Sequence, residues 1–312
     1  MSRYIQNCLI IIIFILSLIL ISNSGCSAPS PGKVEFSIEI TDQLGRVVKL
    51  VKVPERIISL APSNTEILYA LDLEDKVVGV TDYCNYPIEA KGKTSIGGFS
   101  SPNMEKIVAL SPDLVLATSI HQTRVIPYLE GKGIPIFALA PKTLDEVLDS
   151  ITLVGEITKN GDKASELVAE MRNRIKSIVD KTNILSQDQR PRVLYITWHD
   201  PLKTAGSGTL IDELIRKAGG INIAQDLSGH TNITLETIIQ ANPEVIIAGV
   251  GMGAGDDLPL QFARTEPRLR DTDARQNDRV YAIDVDLVGR AGPRIADALE
   301  QFTRFIHPEL FE

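Results

Sequence analysis

Three aromatic residues stand just beyond short apolar runs: Tyr83, Phe99 and Trp198. A ring in such a place offers its face to a flat, partly apolar ligand, worth about 0.5–1.5 kcal/mol beyond the area it buries. His199 follows Trp198, and His230 lies one segment later. Asp284 and Asp286 straddle the end of an apolar run. As strand residues two apart they would share a face, with Asp286 placed to accept hydrogen bonds from ligand amides. Arg124, Arg290 and Arg294 carry guanidinium forks suited to bidentate bonds with an anionic group. Glu105 and Glu236 each fall in the first turn of a predicted helix, where a carboxylate complements the helix dipole.

The same inventory offers little to an enzyme. The chain has four histidines, His121, His199, His230 and His307, none in a His-x-Glu or His-x-x-x-His arrangement. Neither a catalytic metal nor a resident cofactor is expected. Gly206-Ser207-Gly208 is not a nucleophile elbow, which needs Gly-x-Ser-x-Gly. Gly251-Met252-Gly253-Ala254-Gly255 follows an apolar run but lacks the helix turn and downstream acid of a dinucleotide loop. Nucleic acid is excluded as the main partner, because 32 Lys and Arg face 40 Asp and Glu, a net charge of −8.

These groups need a scaffold outside the cytoplasm. Cys8 to Ile21 is an apolar run broken only by Ser17. Fourteen residues are short for a membrane span and suit a secretion signal. The run ends in Ser22-Asn23-Ser24-Gly25-Cys26, which resembles a lipobox with Asn23 where Leu is usual. The expectation is a leader over 1–25, a lipidated Cys26 and a tether over 26–33. Only Cys84 remains in the body, so no internal disulfide forms.

Strands alternate with helices from Arg56 onward, which predicts parallel βαβ units. Val34 to Val53 reads as a hairpin about Asp42 to Gly45. Strands are expected at 56–60, 76–80, 114–117 and 133–139, with Asn64 capping a helix and Ser101-Pro102 opening another. The order then recurs at 192–196, 209–218, 234–248 and 280–285. The segments 103–117 and 234–248 each place a Glu at the helix start, a Pro seven residues later, an acid and an apolar strand. Two similar α/β lobes of Rossmann-like plan follow. Between them, Ala164, Leu167, Val168, Met171, Ile175 and Ile178 recur at helical spacing. The division is an N-terminal lobe over 34–160, one long rigid helix over 161–183 and a C-terminal lobe over 190–312. A ligand is expected at the carboxyl ends of the strands, where open α/β sheets bind.

Val53 to Ser63, Val78 to Tyr83, Met104 to Leu110 with Pro112 to Val115, Gly219 to Asn222, and Arg290 to Arg294 together carry a resemblance. In this order, behind a lipobox-like leader, they are similar to the periplasmic proteins that bind cobalamin and iron chelates for ABC importers. The likeness spans roughly Phe36 to Leu310. It implies two rigid lobes, a ligand in the cleft between them, and docking of Glu105 and Glu236 onto arginines of a permease dimer that works with ATPase subunits. It implies a monomer anchored outside the cytoplasm. It puts Tyr83 and Phe99 where cobalamin binders carry aromatics, whereas Thr118, Lys203 and His230 fall where those have further rings. Tyr83, Phe99, Trp198, His199, His230, Asp286 and Arg290 are the expected ligand contacts. A corrinoid is the first ligand; a ferric siderophore or haem is the alternative. An extracytoplasmic enzyme and a structural surface lipoprotein are the rival classes.

Overall fold

Ile38–Thr41 (β1) and Val47–Leu50 (β2) form the expected antiparallel hairpin. Asp42 closes its turn by accepting the Leu44 and Arg46 N–H groups and pairing with the Arg46 guanidinium. The computed structural model describes residues 38–251 and 257–311. The leader, Cys26, the tether and most of the glycine-rich segment after Gly251 lie outside the described residues.

Ile57–Ser59 (β3), Val77–Val80 (β4), Leu114–Thr118 (β5) and Ile136–Leu139 (β6) make a parallel sheet in the order β4-β3-β5-β6. Pro62–Ala70 (α1), Met104–Ala109 (α2), Val125–Glu130 (α3) and Leu144–Thr158 (α4) accompany it. The strands are apolar at nearly every position because cores form on both faces. Gly161–Thr182 (α5) is the long amphipathic helix foreseen from its spacing.

Arg192–Ile196 (β7), Ile221–Asn222 (β10), Val245–Val250 (β12) and Val280–Asp284 (β13) make a second parallel sheet, ordered β10-β7-β12-β13. Trp198–His199 (β8), Leu202–Ala205 (β9) and His230–Asn232 (β11) form a small antiparallel sheet beside it. The helices of this half are Leu210–Lys217 (α6), Leu235–Ala241 (α7), Leu258–Thr265 (α8), Asp273–Gln276 (α9), Val285–Gly289 (α10) and Ile295–Ile306 (α11).

The repeat extends to individual hydrogen bonds. Ser111 and Asn242, each just before a proline, both adopt left-handed backbone, with φ of 46° and 44°. Arg56 donates Nε to the carbonyls of Leu110 and Ser111, and Asp113 accepts its N–H at 2.8 Å. Arg192 donates Nε to the carbonyls of Ala241 and Asn242, and Glu244 accepts its N–H at 2.9 Å. One arginine in each half thus ties the end of a rim helix to the start of the lobe's first strand.

One buried cluster runs through both halves, from Leu116 and Leu148 through Ala164 and Met171 to Val193 and Leu299. The described residues pack as a single compact unit. Arg174 on α5 pairs with Asp297 at 2.6 Å, and the Thr182 hydroxyl donates to the Lys217 carbonyl at 2.7 Å. The Leu144 N–H donates to Glu213 at 2.8 Å. The C-terminal half of the link and the start of α4 are therefore fastened to the second half.

Three local expectations are corrected. Asn64 is not a cap. Pro62 takes the first helical position, Ala61 precedes it, and the buried Asn64 amide donates to the Ala117 carbonyl at 3.0 Å. Ser101-Pro102 does not open a helix. Pro102 bridges Gly97, and Asn103 caps α2 by accepting the Lys106 N–H. Asp284 and Asp286 do not share a strand face, because Asp284 caps α10 and Asp286 lies inside it.

Candidate functional site

The chain leaving β4 meets the chain leaving β13. Asn85 donates to Asp286 Oδ2 at 3.1 Å, and Arg290 donates to the Tyr83 carbonyl at 3.3 Å. The carboxyl edges of the two parallel sheets therefore confront each other, which is where open α/β sheets take ligands.

On the first edge Tyr83 is 61% exposed, so most of its ring is open to a ligand rather than packed in the core. Phe99 sits on the neighbouring loop. The Asp82 N–H donates to the Gly97 carbonyl at 3.0 Å, so the two segments lie side by side. The left-handed Gly97 (φ 92°) turns that loop, and a Cβ there would press on the Asn103 amide. Beneath Phe99 lies His121, fully buried, its ring edge-on to Phe99 with centroids 5.5 Å apart. Burial pushes its imidazole below the ordinary range.

On the second edge Trp198, Lys203 and Asn232 are register partners across the antiparallel sheet, with His230 opposite Ala205. Trp198 is half-buried and donates Nε1 to the Asp200 carbonyl at 2.8 Å. The His199 ring lies 5.0 Å from it. His199 Nδ1 and the nearby Thr197 hydroxyl are buried and have no hydrogen-bond partner among the described residues. His230 is exposed.

Arg290 is placed differently from a ligand contact. It is 9% exposed, and its guanidinium serves Glu66 at 3.0 Å, Asp286 and the Tyr83 carbonyl. Arg294 makes a bidentate pair with the same Glu66, at 2.9 and 2.7 Å, and covers the Tyr86 ring at 4.0 Å. Glu66 holds the Arg294 guanidinium even further into its charged range than usual. These arginines therefore latch one half to the other. Asp286 shares the arrangement through Oδ2. Arg124 is exposed at the start of α3. Sequence reasoning placed His121 at the cleft edge and Glu66 near a helix start, and gave a role to neither of them nor to Asn85. The spacing Thr118-x-x-His121 is a capping-box pattern with His in the Glu or Gln place, and it held the available signal for His121.

Glu105 and Glu236 are exposed in the first turns of α2 and α7, behind equivalent caps, Asn103 and Thr234. The Glu236 backbone N–H and the Thr234 hydroxyl hold the Glu236 carboxyl below its ordinary range. The two side chains stand exposed on separate halves.

Among the described residues no three His, Cys, Asp or Glu converge as metal ligands, and no helix is long and apolar enough to cross a membrane. Hollows of about 490 and 460 Å³ open by Ile40 and Asn160, and by Gln43 and Asp149, away from the candidate residues.

Residues 57–287 match the family described as periplasmic binding protein. An uncharacterized ABC transporter substrate-binding lipoprotein of Bacillus subtilis is 33% identical over 302 residues, covering 93% of this chain and 94% of its own. The vitamin B12-binding protein of Vibrio cholerae is 31% identical over 81% of this chain and 89% of its own. The crystal structure of the periplasmic vitamin B12 binding protein of Vibrio cholerae superposes with a TM-score of 0.71 at 29% identity, covering 83% of this chain and 99% of that one. The apo periplasmic heme-binding protein of Roseiflexus superposes at 0.73 and 28% identity, covering 81% and 98%.

Proposed function

The chain belongs to the periplasmic binding protein family, as a substrate-binding protein of an ABC importer of the vitamin B12 and iron-chelate type, and from that premise we propose that it captures cobalamin or a related corrinoid between its lobes. It is not an enzyme; a bound corrinoid would be cargo rather than a cofactor. The observation that carries the corrinoid reading is Tyr83, a ring left 61% exposed on the edge that faces the other half. Phe99 adds a second aromatic on the same side, and Trp198 with His199 opposes them from the second half. Asp286 and His230 supply polar contacts at the margins.

Glu105 and Glu236 dock the permease dimer in this reading, one carboxylate per lobe. Charges at such a rim set orientation and encounter rate more than affinity. The division is a leader over 1–25, a tether over 26–33, lobes over 34–160 and 190–312, and the connecting helix over 161–183. Cys26 carries the lipid that anchors a monomer to the membrane face.

A ferric chelate or haem is the second reading. It is favoured by Thr118, Lys203 and His230, which thin the aromatic cage, and by the equally close heme-binding structure. Native mass spectrometry against cyanocobalamin, cobinamide, haemin and ferric siderophores separates the two. A retained 1:1 corrinoid adduct is the expected result, and a retained chelate with no corrinoid adduct overturns it.

A further inference from the structure

Both ring nitrogens of the buried His121 are committed. Nδ1 accepts the Thr118 N–H at 3.0 Å, so the proton of the neutral ring sits on Nε2, which donates to the Phe99 carbonyl at 2.8 Å. A single neutral tautomer satisfies both bonds. A second proton would set N–H against N–H at Thr118. The Phe99 loop is otherwise tied near its ends, by the Asp82 N–H to the Gly97 carbonyl and by the Asn103 N–H to the Ile96 carbonyl. The bond from His121 reaches its middle.

We propose that His121 is a positioning residue for the cleft, which fixes the Phe99 loop to the end of β5 while neutral and releases it on protonation. The claim about ligand rests on Phe99 being a ligand contact; the claim about the loop does not. Burial disfavours the imidazolium, and among the described residues no charged side chain acts on the ring. Its polar neighbours are the Thr118 amide and hydroxyl and the Phe99 carbonyl. Release therefore requires pH below the ordinary histidine range of about 6.5.

The test compares the full chain with His121→Gln and His121→Leu. Gln keeps an amide acceptor for Thr118 and a donor for Phe99 and does not titrate. Leu keeps neither. Amide exchange at residues 98–100, corrected for intrinsic pH effects, should quicken at least tenfold in the wild type between pH 8 and pH 5. It should stay slow at both in His121→Gln. In His121→Leu it should be fast at both. Wild-type exchange with no such pH dependence, or a His121→Gln profile equal to wild type, overturns the proposal even if His121→Leu fails to fold. Cyanocobalamin affinity, measured in parallel, should fall about tenfold with the loop in the wild type alone. Exchange that follows the pattern with affinity that ignores it leaves the brace standing and removes Phe99 from the ligand site.

Discussion

Glu66 and Arg290, 224 residues apart, form a buried ion pair at 3.0 Å that joins the two halves of the molecule. Glu66 is 3% exposed and also takes both guanidinium nitrogens offered by Arg294. Gly292 lies against the Ser63 carbonyl, so the segment that delivers the arginines is seated on α1.

Removing Glu66 takes the acid from Arg294 and leaves Arg290 with Asp286 and the Tyr83 carbonyl, a partly compensated loss at the low end of the about 3–5 kcal/mol range. Glu66→Ala should therefore lower Tm by roughly 10 °C in a chain of this size. The triple change Glu66→Leu, Arg290→Met, Arg294→Met should recover most of that loss, since an apolar replacement is often neutral. Calorimetry on the wild type and these two variants decides it. A Glu66→Ala variant as stable as wild type would mean that the latch is decorative.

Glu105→Ala combined with Glu236→Ala should abolish uptake in a transport assay while leaving ligand affinity within about threefold, because rim charges act on encounter. Normal uptake by the double variant would remove both residues from the docking role.

Gly155→Ala should destabilise by about 1–3 kcal/mol through overpacking. A Cβ there would stand 2.4 Å from the Ala164 Cβ, where α4 meets α5. Denaturant unfolding of Gly155→Ala and of Gly155→Ala with Ala164→Gly should show the second change restoring stability. No loss in the single variant would contradict the close approach.

The buried His121 makes stability fall in mild acid. Its folded pKa lies below the ordinary value, so the unfolded chain takes up the proton first. The contribution is whole above about pH 6.5 and fades as pH falls below it. Asp113 and Glu300, held low by their partners, lose their contributions only at carboxylate pH. Unfolding free energy measured at pH 7.5 and 5 should drop for the wild type and less for His121→Gln. Equal drops would place the effect elsewhere.

The parts that were legible in the sequence are the local ones. Glu105 to Pro112 and Glu236 to Pro243 repeat within eight residues, and the apolar strands announce sheets buried on both faces. The Arg56 and Arg192 tethers sat at matched positions in the repeat, and only the backbone shows what they hold. The small antiparallel sheet was not legible, because β8, β9 and β11 have two to four residues each and no alternation. Arg290 read as a ligand contact because nothing near it in the chain reveals Glu66. Asn64 read as a cap because its type suits one, while Pro62 had already set the helix start.

Trp198 is the sole tryptophan and stands on the second half, so its emission reports directly on ligand held between the halves. Titration with cyanocobalamin and with haemin, corrected for ligand absorbance, tests the central claim. Saturable 1:1 quenching by cyanocobalamin is expected, weakened about tenfold in Tyr83→Ala, which is the loss of roughly one aromatic contact. No quenching by cyanocobalamin, together with saturable quenching by haemin that Tyr83→Ala leaves unchanged, would contradict it.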